Sequence, residues 1–407
     1  MDAPMTSGAG SASQAMSVGA PTSHASLAVS VASQDARTEI ATASVVCGTC
    51  QRKCALTWRT CPICEAAPRL RVGGYNFVGQ KKALYDASTG AALANSIVFL
   101  ARARSIAVEG TGAGKGRGEE AKEVQIAMKV VPLEGEASSV EMARREIQVF
   151  QALGRERHPN LLPLLFGAET DTELVLLTPY APSGDLHSLT CIAGGCFKCL
   201  EERDGGALAE QLLEGLAALH QARYVHGDIK PHNVFLTPIE GALVAQIGDF
   251  GLTRQVPPGT EGVPGEGGTS GYMAPEMVGR EEGVPRAPVS FGIDLFALGV
   301  LLYQLLSSMG PFEPPSNVRA PLEFDELCWA PLDPWARAFV AALLAKEAEG
   351  RGTAEEALRH PWLAAAAGAP RGSPRPKYAP SPEDGIRFHS AARVRELSQV
   401  QEPDLDD

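Results

Sequence analysis

The chain is 407 residues long, with 44% hydrophobic and 21% charged residues, ordinary values for a globular protein with room for two or three domains. Its 36 basic and 48 acidic side chains leave a formal charge of −12, which argues against non-specific nucleic-acid binding as the main task. No apolar run reaches the ~18 residues of a membrane-spanning helix, so a soluble chain is expected.

Residues 1–45 are mostly Ala, Ser, Gly and Thr and bury too little apolar surface to offset the entropy of ordering, so disorder is expected there. Neither a basic start with an apolar stretch nor an Arg-rich leader is visible, and a cytoplasmic or nuclear location is the expectation. A cysteine-rich patch follows over 46–66, with Cys47, Cys50, Cys54, Cys61 and Cys64. Globular patterning runs over 75–363. Within it, Ser96–Arg102 and Val124–Val131 read as strands, separated by the glycine-rich stretch Gly110–Gly118, which reads as a loop. Glu141–Leu153 reads as a helix with Ile147, Phe150 and Leu153 on one face, and Leu174–Leu177 as a short strand. Helices then dominate: Leu208–His220, Asp294–Leu306, Trp335–Ala345 and Ala354–Leu358. The Pro-rich, acidic tail over 364–407 is expected to be disordered. A small strand-rich lobe before a larger helical one is the α+β arrangement this order implies.

Three motifs stand out in the second half: His226-Gly-Asp-Ile-Lys-Pro-His-Asn233, Asp249-Phe-Gly251 and Ala274-Pro-Glu276, all behind the strand that carries Ala127-Met-Lys129. Together, in this order, they resemble the protein kinase family over about Tyr75–Leu363. The resemblance implies a two-lobed kinase fold and a serine/threonine protein kinase that uses ATP and Mg²⁺ on protein substrates. Phosphoryl transfer spreads negative charge over the transferred group, so the chemistry is mostly positioning and charge stabilisation. By resemblance, Asp228 accepts the proton of the substrate hydroxyl and Lys230 reaches the transferred phosphate. Asp249 and Asn233 supply oxygens to Mg²⁺, a hard cation. Lys129 binds the α- and β-phosphates, held by Glu146, with Glu141 as the alternative partner. Thr178 guards the back of the adenine site, Pro179 offers its carbonyl and Ala181 its N–H. Thr269 bonds Asp228 and Lys230, Glu276 pairs with Arg351, and Asp294 braces the catalytic loop.

Two features depart from the family pattern. Gly227 replaces the usual arginine that meets a phosphorylated activation loop, so activation by that route is less expected. If Val98–Arg102 is the strand after the phosphate loop, Ala91, Leu93 and Ser96 stand where three glycines belong, and backbone N–H groups lose their closest approach to phosphate. The cluster Gly110–Gly118 could serve instead if Val98–Arg102 were a different strand. This departure keeps a pseudokinase scaffold as the alternative function.

Cys47-Gly-Thr-Cys50 and Cys61-Pro-Ile-Cys64 resemble the two knuckles of a zinc ribbon, a closed structural Zn²⁺ site, with a partner-binding role for the module. A redox pair, unrelated thiols or a truncated ubiquitin-ligase finger are the other readings. His187, Cys191, Cys196 and Cys199 form a looser set that is either a second Zn²⁺ site or thiols of a surface insertion.

Overall fold

The structure is a computed structural model that describes residues 26–32, 42–47, 69–72, 75–83, 96–105, 123–153, 158–191, 197–265, 267–278, 288–368 and 386–400. Its first part is a sheet of β1 (Ser26–Ala32), β2 (Thr42–Cys47), β3 (Arg69–Val72), β4 (Tyr75–Ala83), β5 (Ile97–Ser105), β6 (Glu123–Pro132), β7 (Phe166–Glu169) and β8 (Glu173–Pro179). They close into a barrel in the order β1-β2-β7-β8-β6-β5-β4-β3. Strands β1 and β2 lie within or at the end of the stretch 1–45 expected to be disordered; its other residues lie outside the described ones. Leu27, Val29 and Val31 alternate with small residues at the period of a strand, a local signal that the overall composition concealed.

One helix, α1 (Ala137–Leu153), crosses this sheet. Val140, Ala143 and Ile147 recur at helical spacing and pack against Val131, Leu174 and Leu176 of β6 and β8. The helix therefore presents its next residues, including Glu146, to the lysine strand.

The second part is helical, with α2 (Leu186–Thr190) and α3 (Glu202–Gln221) followed by β9 (Tyr224–Val225), β10 (Val234–Ile239), β11 (Ala242–Ile247) and β12 (Arg254–Gln255). Then come α4 (Gly292–Ser307), α5 (Glu326–Trp329), α6 (Pro334–Leu343), α7 (Ala354–Ala357), α8 (Pro361–Gly368) and α9 (Ala391–Val400). Local signals set the helix starts. Asp185 and Asp333 accept N–H groups of the first turns of α2 and α6, and Thr353 with Glu356 forms a capping box on α7. Helix α4 is apolar nearly all round and buried on every side, which makes it the axis of this part. Gly206 lets α3 and α8 touch, since a Cβ there would meet the Ala366 Cβ at 2.4 Å. Among the described residues, no helix is long and apolar enough to cross a membrane.

Part of the tail is described as well. Residues 386–400 are ordered: Phe388 is part of the main core, and Ala391 and Val394 are buried at helical spacing. This short apolar stripe lies between Pro-rich and acidic stretches that dominate the composition of the whole tail, so averaging hid it.

Candidate active site

The geometry begins with a carboxylate that the solvent does not reach. Asp294, 1% exposed in the first turn of α4, accepts the backbone N–H groups of His226 and Gly227, both at 2.8 Å. His220 Nε2 lies 2.9 Å from the same carboxylate. The helix N-terminus adds its dipole to these donors, so the buried charge is compensated. The effect is to lock the loop that carries Asp228. Gly227 takes a left-handed φ of +81°, and a Cβ there would meet the Leu252 carbonyl oxygen at 3.2 Å. Glycine meets that backbone demand without strain.

Asp228 is surrounded by donors from three elements. Lys230 Nζ donates to its Oδ2 at 2.7 Å, Thr269 Oγ1 to its Oδ1 at 2.7 Å and Asn233 Nδ2 to its Oδ2 at 3.0 Å. Lys230 also donates to Thr269 Oγ1 at 2.7 Å. Asn233 further donates to the Asp228 carbonyl at 2.8 Å, an orientation that leaves its own side-chain oxygen for a cation.

Lys129, on β6, joins the two parts of the molecule. Its Nζ is 2.9 Å from Glu146 Oε2 on α1 and 3.7 Å from Asp249 Oδ1. Burial works to lower the Lys129 pKa, but the Glu146 and Asp249 carboxylates outweigh it and raise it. Burial pushes the Glu146 carboxyl up, against the pull of Lys129. Lys129 holds the Asp249 carboxyl below its ordinary value. Glu141, the alternative partner, instead lies 3.5 Å from Arg145 on the exposed side of the helix. Asp249 sits at φ 62°, ψ 75°, a left-handed conformation that Asp tolerates better than most residues.

Sequence reasoning missed two supports here. The Phe250 ring packs edge-on against Phe150 at 4.8 Å and against His226 at 5.3 Å, linking α1 to the loop that carries Asp228. Phe150 stands four residues after Glu146, so helical spacing could have found it. The second is Arg223, at φ 66°, whose guanidinium donates to the carbonyls of Val256, Pro257 and Thr260 at 3.0–3.1 Å and lies over Phe291. It grips the activation segment by its backbone. No sequence signal marked it. Downstream, Arg351 and Glu276 form a bidentate pair at 2.6 and 2.8 Å, with the arginine buried.

The connection between the two parts runs through β8. Thr178 pairs with Ala127 and Pro179 with Ile126, Tyr180 N–H donates to Gln125 O at 3.2 Å, and Ala181 is buried. The strand register also bears on the two glycine-loop readings. Lys129 lies opposite Val98, the second residue of β5, so it is at the end of the sheet where β4 connects to β5. The Gly110–Gly118 stretch joins Ser105 to Glu123 at the opposite end, about 20 Å away at the ordinary rise of a strand. That register disfavours Gly110–Gly118 as the phosphate loop. Residues 84–95, with Ala91 and Leu93, lie outside the described residues, whereas Ser96 leads into β5.

Of the zinc-ribbon cysteines, Cys47 ends β2 opposite Leu27, and Cys50, Cys61 and Cys64 lie outside the described residues. Of the second cysteine set, the described members His187, Cys191 and Cys199 form no metal-ligating group. His187 stacks on His232 with ring centroids 3.8 Å apart, while buried Cys199 lies 2.8 Å from the Ser308 hydroxyl. Cys191 N–H bonds the His187 carbonyl, and Cys196 is outside the described residues. Among the described residues, no group of three metal-ligating side chains is present.

Comparison with known proteins agrees with this geometry. A family model described as protein kinase domain matches residues 111–363. Myosin light chain kinase 2, skeletal/cardiac muscle, of Mus musculus is 33% identical over 252 residues, 60% of this chain and 39% of that protein. Serine/threonine-protein kinase 17A of Oryctolagus cuniculus is 34% identical over 207 residues, 48% of this chain and 49% of that protein. Calcium/calmodulin-dependent protein kinase type 1B of Homo sapiens is 30% identical over 246 residues, 58% of this chain and 67% of that protein. The chain thus spans less than half the length of the first two. With the match covering well over half of its residues, the chain belongs to the protein kinase family.

Proposed function

We propose that the chain is an active serine/threonine protein kinase, transferring the γ-phosphoryl group of ATP to Ser or Thr hydroxyls of protein substrates. The observation that carries this reading is the closed set of bonds around Asp228, tied by Thr269 to the segment where a substrate peptide docks. Asp228 orients the incoming hydroxyl and accepts its proton, and Lys230 faces the charge of the transferred group. Lys129, steadied by Glu146, meets the α- and β-phosphates, and the backbone at Pro179 and Ala181 meets adenine. Asp249, with a side chain 47% exposed, and the free oxygen of Asn233 are hard donors that fit Mg²⁺, which when bound neutralises phosphate charge. Nothing among the described residues of the site or among the relatives favours the pseudokinase scaffold. Transfer of labelled phosphate from ATP to a generic Ser/Thr protein tests the reading. Labelling is expected with the wild type and lost in Asp228→Asn; no labelling from folded wild type supplied with Mg·ATP overturns it.

For the cysteine patch, we infer a structural Zn²⁺ site of Cys47, Cys50, Cys61 and Cys64 that serves to bind a protein partner. Its support is the Cys-x-x-Cys spacing. Elemental analysis should find about one zinc per chain, as four thiolates fill one tetrahedral site; a zinc-free folded protein sinks the idea.

A further inference from the structure

Strand β11 leads directly into Gly248 and Asp249, and only one of its edges is occupied by β10. The other edge is shared end to end by two distant segments. At its far end, Leu243 N–H donates to Arg387 O at 2.7 Å and His389 N–H donates to Leu243 O at 3.1 Å, so the C-terminal segment adds a short parallel pairing. At its near end, Ile247 N–H donates to Asn160 O and Leu162 N–H to Ile247 O, both at 2.8 Å. Asn160 belongs to the His158-Pro-Asn160 turn, which follows the helix carrying Glu146.

Between them lies one fully buried amide. Gln211 of α3 donates through Nε2 to His389 O at 2.6 Å, and through Oε1 accepts from Ala245 N–H at 2.8 Å and from Asn160 Nδ2 at 3.2 Å. A single side chain therefore bonds the C-terminal segment and the turn after α1. A buried network of this kind is stable only when every member is satisfied, so loss of the His389 carbonyl leaves a Gln211 donor short of a partner.

The seat matches its occupant in charge. Asp204 accepts the Phe388 N–H at 3.0 Å and Glu210 the Ala391 N–H at 3.1 Å. Glu240 pairs with Arg393 at 2.5 Å, and Glu214 pairs with Arg395. Phe388 fills the apolar centre of the contact. The docked segment itself lies beyond residue 363, where the family match ends, whereas its seat lies inside the match.

We propose that residues 386–400 are an intramolecular docking segment. Its seat on α3 and β11 supports, through Gln211, the turn that positions the Glu146 helix. The occupant of this acidic, aromatic-accepting groove is the chain's own segment 386–400, basic within the tail, not a separate protein.

Amide hydrogen exchange on the full chain tests this without relying on catalysis. In the wild type, the amides of Leu243, His389 and Ala391 should exchange at least about tenfold more slowly than in an unstructured chain. The surface double variant Arg393→Glu/Arg395→Glu should release the segment and raise exchange both at those amides and across 158–162. Adding Glu240→Arg and Glu214→Arg should restore protection at both places. Unprotected exchange of 386–398 in the wild type overturns docking. Release that leaves 158–162 unchanged overturns the support role, and failure of the restored charges to re-seat the segment overturns the proposed seat.

Discussion

Thr269 donates its hydroxyl proton to Asp228 Oδ1 and accepts one from Lys230, each over 2.7 Å. The activation segment thereby holds the Asp228 carboxylate directly, so its position is read out there. Thr269→Ala should lower phosphoryl transfer by about 10- to 100-fold, as expected for a hydrogen bond to a charged group worth ~1.5–3 kcal/mol. Thr269→Ser should keep most of the rate. Equal rates for Ala and wild type in a steady-state assay would remove Thr269 from the site.

Lys129 and Glu146 are coupled across the two parts of the molecule. Lys129→Met leaves a carboxyl with 7% side-chain exposure without its partner, and Glu146→Gln leaves the lysine with Asp249 alone. The double variant should be less destabilised than the sum of the singles, with a coupling of about 1–3 kcal/mol. Urea unfolding of the four proteins measures it; strict additivity contradicts the pairing.

Acid sensitivity should follow from Asp249. Its folded pKa is depressed, chiefly by Lys129, so its contribution to stability is full above the ordinary carboxylate range. That contribution is lost as pH falls through the lower folded value. Asn tolerates the same left-handed backbone, so Asp249→Asn isolates the charge. The melting-temperature gap between wild type and variant should be wide at pH 7 and narrow progressively below about pH 4, near the ordinary Asp value. A gap independent of pH argues against the Asp249–Lys129 interaction.

The Asp228 loop lacks an arginine at Gly227, yet a cation four residues earlier grips the activation segment. Arg223 bonds three carbonyls rather than a phosphate, so the segment should be held without modification. Phosphatase treatment should leave activity unchanged, whereas Arg223→Ala should reduce it by roughly tenfold or more for three lost bonds at ~0.5–1.5 kcal/mol each. Arg223→Gly relieves the left-handed strain but loses the same bonds. Matching losses in Ala and Gly variants identify the guanidinium as the cause; an inactive phosphatase-treated enzyme refutes the idea.

Much of the helical part was legible because its signals are local. Asp294 opens an apolar run, Thr353 and Glu356 spell a capping box, and Lys129 lies within a strand rich in β-branched residues. The motif residues around Asp228 were legible for the same reason, as short spacing fixes their relative placement. Arg223, Gln211 and Phe388 were not, because their roles arise from contacts between residues far apart in the chain. Gln211, for example, bonds His389 at a separation of 178 residues. Strand β1 and helix α9 were hidden differently: each is a few patterned residues inside a stretch whose average composition is that of a disordered chain.

The register of β5 against β6 has a practical consequence for protein engineering. Since Lys129 faces Val98 while Ser105 and Glu123 mark the opposite end of the hairpin, length added between those two residues is added away from the lysine. The junction between Ser105 and Glu123 is thus a natural port. A fluorescent protein or an affinity handle spliced there would report on the enzyme from outside its working parts, leaving both termini free for other uses.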